Sequence, residues 1–164
     1  MLQQFFETEQ ERRIEPDELN YIYTQASYEL GNLSLDTGEL TNAITRLEES
    51  AIIYLLLSKK SERMRATAPQ TERTTIEADF QQNSRASVRA NCYLVRACVK
   101  QVEGNAQVDS AALEQAGKAL DQARQTLDSV YIPLDIGDKQ LRDELNAVAD
   151  QLDQYRTALP SHNK

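Results

Sequence analysis

Residues 39–65 read ELTNAITRLEESAIIYLLLSKKSERMR. Leu40, Ile44, Leu47, Ala51, Tyr54 and Ser58 step by four, three, four, three and four, with Ala43, Ser50 and Leu57 in a second stripe beside them. Positions at this spacing share one side of an α-helix, and two adjacent apolar stripes mean contact with more than one neighbouring helix. The run Ala51–Leu57 is apolar all round, which predicts that it sits at the centre of the protein. A bilayer crossing takes about 20 apolar residues, so this run is core and not a membrane span. One long helix is expected, from about residue 39 into the region of Arg63 to Arg65.

The flanking sequence extends the helical reading in both directions. Pro16, Gly38, Pro69, Gly104, Pro133, Gly137 and Pro160 punctuate stretches rich in Ala, Leu, Gln, Glu and Arg, which lose little side-chain freedom in a helix. Upstream, Glu15-Pro16-Asp17-Glu18 opens a helix, since proline suits the first helical position and carboxylates complement the amino-terminal dipole. Its apolar positions Leu19, Ile22, Tyr23, Ala26, Leu30 and Leu33 predict one buried face, and it stops near Gly38. A short helix over about residues 2–13 would need docking to be stable.

Downstream, Pro69 breaks the chain before a helix from about Thr71 to Glu103. Its first half, through Gln81-Gln82-Asn83-Ser84, is polar enough to fray, and residues 61–84 are expected to be mobile. Its second half carries Val88, Cys92, Val95, Val99 and Val102 on one face, with Ala86, Ala90, Tyr93 and Ala97 on the next. Asp109 or Ser110 is expected to cap a helix bearing Leu113, Ala116, Leu120, Ala123 and Leu127, closed by Tyr131-Ile132-Pro133. Asp138 is expected to cap a last helix with Leu141, Leu145, Val148, Leu152 and Tyr155, leaving residues 160–164 as a tail. Short connections make sequential helices antiparallel. The expectation is one all-α domain of antiparallel helical hairpins, about five helices, over 164 residues.

The composition excludes several chemistries. The one histidine, His162, lies in the tail, so catalysis by a held imidazole has no candidate, and zinc sites of Cys and His lack ligands. Cys92 and Cys98 lie six residues apart, which puts their side chains on different faces of a helix and prevents a bridge within it. They read as reduced, buried small residues of a reducing compartment. Nucleotide-binding glycine patterns and EF-hand spacing are missing, and Asp135-Ile136-Gly137-Asp138 reads as a turn. The opening Met1-Leu2-Gln3-Gln4-Phe5-Phe6-Glu7 lacks the basic start and apolar run of a secretory signal, so a cytoplasmic protein is expected. No catalytic residues, metal site or cofactor are assigned, and enzymatic activity is not expected.

Charge is unevenly spread. The net charge is −8, with residues 1–45 contributing −7, residues 46–100 +4 and residues 101–164 −5. The positive middle gathers at Lys59, Lys60, Arg63, Arg65 and Arg73. Without interleaved aromatics, and in an acidic chain, this patch does not read as a nucleic-acid surface. It is a solvated helix end, or a contact for an acidic partner segment or for the acidic ends of a second copy.

Residues 24–57 resemble a tetratricopeptide repeat. The Leu30-Gly31 pair, the turn residue Gly38, then Ala43, Leu47 and Ser50 stand at that family's offsets, while Ser27 and Leu55 depart from its aromatic and its proline. Ala116, Leu120 and Ala123 repeat the second-helix offsets in a weaker, interrupted match over about residues 90–127. The small residues 31, 43 and 50 also suit close approach of two helix backbones. The resemblance implies a tetratricopeptide-like superhelix, with an ordinary antiparallel bundle as the alternative fold. It also implies a protein-binding face presenting Gln25, Tyr28, Asn32 and Leu35 in the first unit and Asn91, Leu94 and Cys98 in the second. Asn32 falls where some family members bind a partner's backbone or carboxylate, and Tyr28 replaces the basic residue that accompanies it there. Otherwise Asn32 is a helix-end polar residue bonded to water. The expected function is a small adaptor or chaperone holding a peptide or helix of another protein. Self-association through the paired stripes, giving a structural or regulatory homo-oligomer, is the alternative. Neither a nucleic-acid nor a membrane partner is expected.

Overall fold

A computed structural model describes residues 16–104, 110–130 and 136–158, and among them the chain is all-α. Five helices follow in order: α1 Pro16–Thr37, α2 Leu40–Thr67, α3 Gln70–Glu103, α4 Ser110–Ser129 and α5 Ile136–Ala158. The expected helix over residues 2–13, the closure at Tyr131–Pro133 and the tail lie outside the described residues.

The turns carry out what proline and glycine dictate. Gly38 adopts φ +83°, the left-handed conformation that ends a helix without a Cβ penalty. Around it the Glu39 N–H donates to the Ser34 carbonyl at 2.8 Å and the Gly38 N–H to the Leu35 carbonyl at 3.4 Å, the Schellman pairing of a helix end. Ala68, forced extended by Pro69, separates α2 from α3 with ψ 144°. Its carbonyl accepts from Arg73 Nε at 3.1 Å.

α1 and α2 are antiparallel, α2 and α3 likewise, and α3 packs against each of the other four helices. α5 runs parallel to α3. Its start is tied by Arg85, whose Nε and Nη2 donate to Asp138 Oδ1 and Oδ2 at 2.8 and 3.2 Å. Near its end the Tyr155 hydroxyl meets Glu103. The main core gathers Leu35, Ala43 and Leu47 with Val88, Cys92, Val95 and Val99 of α3 and the leucine stripes of α4 and α5. Those α3, α4 and α5 stripes are the ones their periodicity predicts.

Three expectations are corrected. α1 turns its apolar positions outward: Ile22 and Leu33 are each 58% exposed and Leu30 49%, with Ala26 and Tyr23 also exposed. Its buried side is Asn20, Thr24, Ser27, Gly31 and Ser34, together with Leu35. Close backbone approach explains the inversion, because a Cβ on Gly31 would stand 2.8 Å from Leu47 Cγ and 3.3 Å from Arg46 Cβ. Only small side chains fit that seam, and their polar atoms are satisfied locally: Thr24 Oγ1 donates to the Asn20 carbonyl, and Asn42 Nδ2 to Ser34 Oγ. Second, the Ala51–Leu57 run is buried on one side only. Ala51, Ile53, Tyr54 and Leu57 are inside, while Ile52 is 42% and Leu56 39% exposed. Third, Asp138 lies inside the first turn of α5 and does not cap it; burial and Arg85 hold its carboxylate.

The segment 61–84 is helical on both sides of the turn. Ile76 and Phe80 are buried there, and Arg65 pairs with Glu77 at 2.6 Å while lying 5.3 Å over the Phe80 ring.

Candidate functional site: a groove between three helices

Small residues decide how α2 sits on α3. Ser87 Oγ donates to the Ala51 carbonyl at 2.9 Å, and the Ser58 and Ser84 hydroxyls bond at 2.6 Å. Side chain to backbone bonding of this kind needs the two helices close. α4 packs antiparallel on the same α3, so α2 and α4 flank it as two parallel walls.

Between the walls lies an open groove of about 470 Å³. α3 supplies its floor through Asn91 and Leu94. Ile52 and Leu55 form the α2 wall, Ala111 and Ala119 the α4 wall. The rim is polar: Glu48 on one side, and on the other Gln115, Gln122 and the Glu114–Lys118 pair at 2.7 Å. Lys118 holds the Glu114 carboxyl below its usual range, and Glu114 raises the Lys118 ammonium in return. Apolar walls with a charged edge are the arrangement by which one protein takes up an apolar face of another. Asn91 Nδ2 donates to the Ser87 carbonyl of its own helix, so its amide is already engaged.

The anticipated binding residues divide into three groups. Asn91 and Leu94 lie in the groove. Gln25, Tyr28 and Asn32 lie on a different face. Gln25 donates to Glu29 and accepts from the Tyr54 hydroxyl at 2.9 Å. The Tyr28 ring meets Tyr93 edge-on at 5.9 Å, and Arg96 stacks on Tyr93. Tyr93 stands about 200° around α3 from Asn91, so the two sets do not share a surface. Asn32 lies against the Tyr28 hydroxyl, while its own Oδ1 is buried without a hydrogen-bond partner. Burial raises the Tyr28 hydroxyl and pushes that of Tyr54 up to about 12, so both remain neutral donors near pH 7. Leu35 and Cys98 form the third group: both are buried in the core and present nothing to a partner.

The basic cluster likewise splits. Arg65 is held by Glu77 and Phe80, and Arg73 by the Ala68 carbonyl and Gln70, so these two secure the α2–α3 turn. Lys59 and Arg63 are exposed, and Lys60 is half-buried beside a second, smaller groove.

Ile52, Leu55, Ala119 and the Glu114–Lys118 rim were not anticipated. The signal for Ile52 was present: a run apolar all round exceeds what one buried face needs. Nothing in one-dimensional periodicity marks α4 as the opposite wall. Chemically the groove offers contact and hydrogen bonding, and among the described residues no group of His, Cys, Asp or Glu is placed to hold a metal ion. Burial pushes the Cys92 thiol up to about 12, which leaves no thiolate to act as nucleophile. Nor is any described helix long and apolar enough to cross a membrane. The chain matches no family model, no curated protein and no solved structure.

Proposed function

We propose that this chain is a non-catalytic protein-binding module, a small adaptor or chaperone of tetratricopeptide-like build, that takes an apolar-faced helix or peptide of another protein into the α2–α3–α4 groove. The observation that carries the reading is Ile52, with Leu55 beside it: large apolar side chains of α2 left open at a groove with apolar walls and a charged rim. The tight Gly31–Leu47 approach and the complete burial of Ala43 and Ser50 support the tetratricopeptide-like packing. Two reduced, buried cysteines accord with a cytoplasmic setting.

Site-specific photo-crosslinking in cells of the native host tests it. A crosslinking side chain at position 52 or 55 should capture another polypeptide, and one at the exposed Arg124, on the far side of α4, should not. Ile52→Glu, introduced with the crosslinker at 55, should abolish capture while leaving the helical circular dichroism intact. Equal capture at all three positions, or capture indifferent to Ile52→Glu, refutes the groove.

A further inference from the structure

A second surface lies on α1 and shares no residue with the groove. Ile22, Ala26, Leu30 and Leu33 are spaced by four, four and three, which gathers them within an arc of about 80° and over about 16 Å of helix. All four are exposed. They stand opposite the face that α1 buries on α2, where Thr24, Ser27, Gly31 and Ser34 lie. A helix that buries its small polar side and displays its large apolar side has its hydrophobic contact elsewhere.

Charge identifies the occupant. Glu29 and Asp36 are exposed along one edge of the stripe, about 60° and about 80° from its centre by helical arithmetic. The sequence of α1 holds no Lys or Arg at all. Residues 1–15 contain four Glu against two Arg, and a second copy meeting this face with its own α1 would bring the same acidic helix, so either would add negative charge to a negative edge. We infer that the outer face of α1 docks a basic amphipathic helix of another protein. That helix has apolar residues at three- and four-residue spacing and Lys or Arg along the side that meets Glu29 and Asp36.

Fluorescence anisotropy on the full chain tests this with two labelled helical peptides of about five turns. They are identical in their leucine stripe and differ only in carrying Lys or Glu on the flanks. The lysine peptide should bind at least about tenfold more tightly than its glutamate twin, with an advantage that shrinks as salt rises. Leu30→Ser with Leu33→Ser should cost about tenfold or more, and Glu29→Gln with Asp36→Asn should weaken binding and flatten its salt dependence. Because these side chains are exposed, circular dichroism and the urea midpoint should not move. Ile52→Ser should leave the affinity unchanged, and a silent groove in the crosslinking experiment would not alter the result. The inference is overturned if both peptides bind alike, if the stripe variant keeps full affinity, or if Ile52→Ser removes binding. It is also overturned if binding appears only after residues 1–15 are removed, since the chain's own segment is then the occupant. A dimer in solution that the stripe variant converts to monomer overturns it in favour of a second copy.

Discussion

Replacing Gly31 by alanine sets two known effects against each other in one helix. Alanine is the better helix former and on propensity alone should stabilise α1 by about 0.8–1 kcal/mol. The seam opposes it. The added Cβ would stand 2.8 Å from Leu47 Cγ, closer than such atoms come in folded proteins, and a tight 3.0 Å from Leu47 Cδ2. Leu47 is fully buried and cannot swing into solvent, so relief requires α1 to move off α2. Overpacking of this kind costs about 1–3 kcal/mol, so the net expectation is a loss of up to about 2 kcal/mol. For a chain of this size that lowers Tm by up to about 8 °C. Urea unfolding followed by circular dichroism measures it, with Leu47→Ala as the second arm of a double-mutant cycle. With Leu47 truncated the contacts to its Cγ and Cδ2 are absent and only the 3.3 Å approach to Arg46 Cβ remains, so Gly31→Ala should become neutral or stabilising, a coupling of at least about 1 kcal/mol. A Gly31→Ala protein clearly more stable than wild type in the Leu47 background, or full additivity with Leu47→Ala, would refute the close approach of α1 and α2.

Asp138→Asn should cost about 1.5–3 kcal/mol, because it removes the charged acceptor that the Arg85 guanidinium, three-quarters buried, meets at 2.8 Å; urea unfolding reads the loss. Cys92 should resist a thiol reagent at pH 8 in the folded protein and react once urea unfolds it, since burial keeps its thiol protonated; rapid native labelling of Cys92, located by peptide mass analysis, would contradict its placement in the core. Arg65 holds the Glu77 carboxyl below its usual range, so the stability that this pair adds is present above the ordinary Glu pKa and fades as pH falls through the lowered value. The urea midpoints of wild type and Arg65→Gln should therefore differ slightly at pH 7 and converge towards pH 2, the difference staying within about 1 kcal/mol because the pair is well exposed.

Much of the helical scaffold was legible from punctuation and leucine spacing. Gly38, Pro69 and Gly104 mark boundaries that the helices respect, and the stripes from Leu113 to Leu127 and from Leu141 to Leu152 are buried as their periodicity demands. The reading failed where packing distance outweighs apolar content. In α1 the apolar positions promised a buried face, yet Gly31 brings α1 so near α2 that only Thr24, Ser27 and Ser34 fit between them. Periodicity records which residues share a side of a helix, not how closely that side approaches its neighbour. The same limit hid the groove: Asn91 and Leu94 were singled out as second-unit contacts, but Ile52 and Ala119 join them only because α2 and α4 straddle one helix. Asp138 was read as a cap because its partner, Arg85, lies 53 positions away and leaves no local trace.

α3 is the beam on which the remaining four helices rest, whereas α1 leans chiefly on α2 and only lightly on α3. Amide hydrogens of Val88 through Val99 should accordingly be the slowest to exchange with deuterium, and those of α1 should be released earlier, without the rest of the fold giving way. An element that can loosen on its own is well placed to adjust its tilt when something settles on its outward side, while the spine beneath keeps its shape.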